Sequence, residues 1–466
     1  MATRGLGQAD ALVFFGATGD LAYKQVFPAL ASLVARGHLD LPVIGVANAG
    51  WNRDRLVDRA EKSLSDHGGV DKMVFARLAG LLRYVDGDYK DPATFRRLRS
   101  ELGDAKAPLH YLAIPPSLFA TVVKALDASG CAVGGRVVVE KPFGHDLASA
   151  KELNSVLRAV LPEASIFRID HYLGKEAVQG LLYFRFASAF LEPIWNRTHV
   201  ASVQLTMAES FGVAGRGAFY DQTGAMRDVV QNHMLQVLSL LAMEPPAGYG
   251  HEDIREEKAK VLRAIPPPRR DAVVRGQFAG YRDEDGVAQD SKVETFVALR
   301  CHVDTWRWSG VPFYIRAGKR LPTTATEVLV RLRRPPESVL GEGRSRHPNY
   351  LRFAFSPDIS ISLGARVKAP GEVMAGQDVE LAVHEHPGAA ELAPYERLLG
   401  DALAGDATLF AREDAVEAAW EVVDRVLGDA TSLHPYEPGT WGPGEAAALM
   451  ARHGGWHDPA VSEAES

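Results

Sequence analysis

Cysteine is nearly absent, with only Cys131 and Cys301 among 466 residues. That excludes a disulfide framework and a paired CxxC metal site, and two free thiols of a cytosolic protein are the expected state. Long apolar runs are missing as well. No stretch approaches the roughly 18–20 residues that a membrane span needs. Residues 1–8 hold no apolar core of a secretory signal, so the expectation is a cytoplasmic chain with no membrane partner. A basic excess is lacking too, since 52 Lys and Arg stand against 59 Asp and Glu, a net charge of −7. Such a surface repels nucleic acid, and any anionic ligand then needs a local basic pocket. Several catalytic signatures do not occur: H-E-x-x-H and G-x-S-x-G are absent, and Gly318-Lys319-Arg320 lacks the spacing and Ser/Thr of a P-loop. His384-Glu385-His386 precedes Pro387 and reads as a loop, so no metal is expected.

What remains is ordinary for a globular enzyme, with 46% hydrophobic and 24% charged residues. A chain of this length can bury roughly three quarters of its unfolded surface and implies more than one domain. Residues 11–15 (Ala-Leu-Val-Phe-Phe) form a continuous apolar run, as a strand buried on both faces requires. Helical periodicity then reaches Arg36, with Gly37 placed to end it. Further strands are predicted at 41–47, 109–114 and 137–139, with helices at 93–102 and 117–129. This alternation predicts a Rossmann-like, doubly wound α/β domain over residues 1–175.

Beyond residue 176 the texture changes. Strands are predicted at 200–207, 293–299, 326–332, 350–355 and 359–363, the last two joined as a hairpin across Ser356-Pro357-Asp358. Helices at 224–241 and 408–427 would cover one face. Residues 176–466 are thus expected to form a larger α+β domain with a mainly antiparallel sheet, serving substrate binding and oligomerisation. Residues 265–268 and 331–346 read as loops, and those after Trp456 as a frayed tail.

Four groups of residues carry chemistry. Strand, Gly16-x-x-Gly19 and helix in succession suit a pyrophosphate, because glycine permits close backbone approach and the helix start offers free N–H groups. A tight turn alone would also explain the glycines; their place at the head of the alternating domain favours a dinucleotide. Glu140 and Lys141 directly follow a buried strand, where ligands of open α/β sheets bind. Arg168-Ile-Asp170-His171-Tyr172-Leu-Gly-Lys175 concentrates donors that suit a phosphate dianion, although a solvated connector could share that composition. In Arg227-Asp228-Val-Val-Gln231-Asn232-His233, Asp228 and His233 lie about 140° apart on an α-helix, so they would flank a ligand. A histidine among apolar residues is more often a satisfied core side chain, but the polar neighbours make a catalytic role credible.

Together with Arg316-Ala-Gly-Lys319-Arg320-Leu321, and in this order, these blocks resemble the glucose-6-phosphate dehydrogenase family. The R-I-D-H-Y-L-G-K block is specific to it, and the match spans residues 11 to about 332. The resemblance implies oxidation of glucose 6-phosphate at C1 to 6-phosphoglucono-1,5-lactone in the pentose phosphate pathway, with NADP as cofactor, a homodimer or homotetramer, and no metal. It places the catalytic base on His233 and the carboxylate orienting it on Asp170. Substrate contacts fall on Lys141, His171, Tyr172, Lys175, Glu209, Asp228 and Lys319. Cofactor contacts fall on Gly16, Ala17, Thr18, Gly19, Asp20, Leu21, Ala22, Tyr23 and Lys141, with Asn48 at the ribose-reading position.

The chain departs from the family at three places. Tyr23-Lys24-Gln25 is less basic than usual, Thr323 and Thr324 stand where relatives often carry a lysine, and Asn48 replaces an arginine. Asn48 brings no charge to a 2′-phosphate, so NAD is expected to be accepted beside NADP, with Arg53 or Arg55 as substitute ligands. Two rival readings stay open: a dehydrogenase of another sugar or sugar phosphate with NAD preference, and a non-catalytic regulatory paralogue.

Overall fold

The computed structural model describes residues 7–69, 71–248, 250–335, 348–385 and 392–460. They group into two compact units, the first comprising Met1–Glu176, Pro246–Glu256 and Glu391–Glu417, the second Ala177–Pro245, Glu257–Ala390 and Ala418–Ser466. Two segments expected with the second half thus group with the first.

In the first unit, β1 (Ala11–Phe15), β2 (Val43–Ala47), β3 (Leu82–Asp86), β4 (Pro108–Leu112), β5 (Arg136–Glu140) and β6 (Ile166–Ile169) form a parallel sheet in the order β6-β5-β4-β1-β2-β3. Phe15 stands opposite both Val46 and Leu112. All five β1 side chains are buried, which explains the unbroken apolar run. Strand order reverses between β1 and β4, so the crevice opens there, at the carboxyl ends that carry Gly16, Asn48, Lys141 and Asp170. β3 escaped the sequence reading because it lies at the sheet edge and alternates too weakly.

The segment 408–427 is not one helix over the antiparallel sheet. Phe410–Ala411 pairs antiparallel with β6, Phe410 against Ile169, and the helix begins only at Glu413, running as α-helix to Val423 and as a 3-10 turn over Asp424–Val426. The Phe410 ring meets Phe167 edge-on at 4.9 Å between centroids. This short strand covers the edge that β6 would otherwise expose.

The second unit holds a nine-stranded sheet. Its strands are β7 (Val200–Ala208), β8 (Val273–Phe278), β9 (Phe296–His302), β10 (Pro312–Gly318), β11 (Ala325–Leu332), β12 (Tyr350–Ser356), β13 (Ile359–Lys368), β14 (Gly376–Glu385) and Leu433–Tyr436. The order β14-β13-β12-β11-β7-β10-β9-β8 is antiparallel except where β7 meets β10. Leu351, Phe353 and Phe355 alternate inward along β12, and the expected hairpin to β13 forms.

Strand reaches into two expected loops: His384 and Glu385 end β14, and 331–332 end β11, whereas 333–335 are irregular as expected. His386 and 336–346 lie outside the described residues. β9 begins three residues later than expected because Val293–Thr295 are used otherwise. Ala225 and Met226 donate to the Glu294 backbone and carboxylate, and Thr295 donates to Gly276.

Candidate active site

The first unit supplies the glycine turn. Gly16 adopts φ +80°, and a Cβ there would come within 2.1 Å of the Ala113 carbonyl oxygen, so no other residue fits. Its N–H lies 2.9 Å from both the Val46 oxygen and the Tyr89 hydroxyl, and that hydroxyl donates to Val46 O at 3.0 Å. Gly19 donates back to Gly16 O, and Tyr23 donates to Gly19 O as the helix begins. The first N–H groups of that helix have no intrahelical acceptor, which fits an anionic pyrophosphate. Gly19 and Asp20 are exposed, Thr18, Leu21 and Tyr23 half-buried, whereas Ala17 and Ala22 pack into the core.

Asn48 is exposed at the end of β2. Of the two arginines expected to substitute for its missing charge, Arg53 is committed elsewhere. Its Nε donates to Leu82 O at 2.8 Å and its Nη2 to Ala79 O at 2.6 Å. Arg55 is exposed.

Lys141 is half-buried just past β5. Glu140, the last residue of β5, accepts the Tyr111 hydroxyl at 2.6 Å, and Tyr395 also donates to it. Burial pushes its carboxyl up to about 7, against the hydrogen bond from Tyr111 and the Lys141 charge. Register pairs Glu140 with Ile169, so Asp170 follows on the neighbouring strand, and its charge raises Glu140 further.

Asp170 is buried and accepts the Tyr172 N–H at 3.0 Å. The His171 and Tyr172 rings lie 5.6 Å apart, and Lys175 Nζ sits 3.8 Å from the Tyr172 ring centroid. Arg168 does not join them. Its side chain is buried on β6, donating to Glu163 at 2.6 Å and Asn154 at 2.9 Å, so it is a structural cation.

The second unit gathers the remaining residues. β7 and β10 run parallel with Ala208 opposite Gly318, which brings Glu209 and Lys319 out at the same end. Lys319 Nζ donates to Glu209 Oε2 at 2.6 Å and lies over the Phe211 and Tyr220 rings at 4.8 and 5.3 Å. The Tyr220 hydroxyl is held well above its usual range by burial and by the Asp228 and Glu209 charges. Thr324 accepts from Ser210 N at 3.0 Å and shares a 2.8 Å hydroxyl contact with Ser210, so it fixes the backbone after Glu209.

Asp228 and His233 lie in Met226–Met234, which is a π-helix rather than an α-helix. Hydrogen bonding from i to i+5 stacks residues five apart instead of spreading them by 140°. Both therefore share one face. His233 is buried, and its N–H donates to Asn232 Oδ1 at 2.6 Å. Gly224, at φ +69°, starts this arm, and a Cβ there would come within 2.6 Å of Glu294 Oε1.

The sequence reading missed Tyr89, Tyr111, Tyr220 and Tyr395. The one signal available for Tyr111 was a tyrosine beside His110 inside a fully buried strand.

Residues 13–180 match the family described as glucose-6-phosphate dehydrogenase, NAD binding domain. Residues 182–457 match glucose-6-phosphate dehydrogenase, C-terminal domain. Glucose-6-phosphate 1-dehydrogenase 1 of Mycobacterium bovis is 46% identical over 461 residues, covering 98% of each chain. A crystal structure of the glucose-6-phosphate 1-dehydrogenase of Mycobacterium avium superposes with a TM-score of 0.92 at 46% identity, covering 98% of this chain and 100% of that one. A glucose-6-phosphate dehydrogenase in complex with its substrate glucose-6-phosphate superposes with a TM-score of 0.90 at 34% identity, covering 98% and 100%.

Proposed function

The chain belongs to the glucose-6-phosphate dehydrogenase family, and from that membership we infer that it oxidises C1 of glucose 6-phosphate to 6-phosphoglucono-1,5-lactone with NADP. The observation that carries this reading is the turn after β6, where Lys175 lies over Tyr172, His171 stands beside it and Asp170 is buried next to them. A dianion recognised by Lys, His and Tyr donors satisfies the local basic pocket that a net-acidic chain requires.

His233 is the general base for the C1 hydroxyl proton, a role that suits an imidazole at neutral pH. Asp170 holds its tautomer and stabilises the imidazolium, by the logic of a hydrolase triad. Lys141, Glu209, Asp228 and Lys319 position the sugar. The nicotinamide ring, when bound, accepts the hydride. Gly16–Tyr23, Asn48 and Lys141 position the dinucleotide.

The domain division after residue 175, a cytoplasmic location and a homodimer or homotetramer belong to the same proposal. No helix among the described residues is long and apolar enough to cross a membrane. Self-association is supported by Leu381 and Val383 on β14, 63% and 70% exposed.

Initial rates at 340 nm over a matrix of substrates and cofactors test the reading. Glucose 6-phosphate should be the best substrate, with NADP preferred and NAD measurably turned over. A preference above about a thousandfold would exceed what a site with uncharged Asn48 supplies. Absence of nicotinamide reduction would point to a regulatory paralogue.

A further inference from the structure

The adenosine end of a dinucleotide is read at the carboxyl end of β2, where this chain offers only exposed Asn48. The loop beyond it is tied to Asp86. Asp86 Oδ1 accepts the N–H groups of Ala49, Gly50 and Trp51 at 3.1, 2.9 and 3.4 Å, and the Tyr84 hydroxyl at 3.0 Å. Tyr23, one turn into the helix that follows Gly16–Gly19, is the next aromatic. A cation joins the two segments. The Arg59 guanidinium lies 4.5 Å from the Tyr23 ring centroid and 5.9 Å from that of Trp51.

Arg59 belongs to the helix Arg53–Asp66, whose N-terminus is the loop end. Long helical side chains lean toward that terminus, which directs its head group to the crevice. Its Nε is buried without a hydrogen-bond partner, and among the described residues no carboxylate ion-pairs with it. The nearby acids are already engaged: Asp66 takes Lys62 at 2.8 Å and the Tyr23 hydroxyl, and Asp86 takes the loop amides. The uncompensated charge at this spot is therefore positive.

We propose that Arg59, held between Tyr23 and Trp51, receives the 2′-phosphate of NADP and sets the preference for NADP over NAD. This rests on the Gly16–Gly19 turn being the dinucleotide site, as inferred above. Stacking fixes the guanidinium before a ligand arrives, so little freedom is lost on binding. Arg55, one helical turn nearer the loop, is exposed and has no such support.

The test uses fragments that carry no nicotinamide, 2′,5′-ADP and 5′-AMP, bound to the full chain and followed by calorimetry. The parent protein should bind 2′,5′-ADP more tightly. Arg59→Gln should weaken 2′,5′-ADP roughly ten- to a hundredfold, as expected for a lost charge-assisted bond, and leave 5′-AMP within about twofold. Arg59→Lys should recover part of the loss, and Arg55→Gln should keep the full preference. An unchanged preference in Arg59→Gln, equal losses for both fragments, or a loss confined to Arg55→Gln would overturn the assignment. If the parent protein bound neither fragment, the dinucleotide site itself would be refuted.

Discussion

The roles proposed for His233 and Asp170 are tested by substitutions that separate chemistry from binding. His233→Asn should lower kcat by about 10²–10⁴, the range for a lost general base, with KM nearly unchanged. Asp170→Asn should lower kcat as well, because an amide can hold the wrong tautomer; a folded variant with normal turnover would end either role. His171 and Lys175 make a different prediction. Their alanine variants should raise KM for glucose 6-phosphate far more than for glucose, since only the former brings a phosphate. Equal proportional losses on the two substrates would remove the phosphate assignment. Glu140 is the residue whose environment the sequence could not convey. Its carboxyl is buried and raised to about 7, so between about pH 4.5 and 7 the folded chain keeps a proton that the unfolded chain has released. Stability then falls as pH rises through that window, by about 3 kcal/mol from this group. Glu140→Gln removes the slope. Urea midpoints at pH 5 and pH 8 should diverge between parent and variant, with the variant gaining at the higher pH.

Elements were legible where burial imposes a simple pattern. β1 is buried on both faces and reads as five apolar residues in a row; β12 alternates, and so does its sequence. The specific blocks at 140–144 and 168–175 are legible because glycine, proline and clustered donors interrupt that pattern. Legibility ends where tertiary partners decide. The π-helix at Met226–Met234 has an ordinary helical composition, so the sequence places Asp228 and His233 on different faces. Its start depends on Glu294, 70 residues away from Gly224, whose carboxylate accepts Met226 N–H at 3.1 Å. Gly224→Ala tests this dependence. The added methyl meets Glu294 in a left-handed backbone conformation, which should cost about 1–3 kcal/mol and lower kcat together with stability. An unfolding midpoint equal to the parent's would mean that the arm starts elsewhere.

At the scale of the whole chain, the sequence suggests two consecutive blocks followed by a loose end, and the second expectation fails on one buried cation. Arg316 follows the apolar run Phe313-Tyr314-Ile315, and an arginine is ordinarily solvent-exposed. Its side chain is instead 1% exposed, with its guanidinium 4.4 Å from the Trp441 ring centroid and 4.8 Å from that of Trp456. Its acceptors come from the segment read as frayed: Asp458 Oδ1 at 2.8 Å and His457 O at 2.8 Å. The His457 N–H is anchored in turn on Gln204 Oε1 at 2.8 Å, and its ring lies 3.2 Å from Glu327. A buried charge stripped of its partners costs about 3–5 kcal/mol, whereas an apolar side chain of similar volume in its place costs little. Ending the chain at Trp456 should therefore lower the unfolding free energy read from urea denaturation by an amount in that range. Adding Arg316→Met to the shortened chain should recover most of the loss, because no buried charge is then left without an acceptor. A shortened chain as stable as the parent, or one that Arg316→Met fails to rescue, would show that residues beyond Trp456 hold nothing in place.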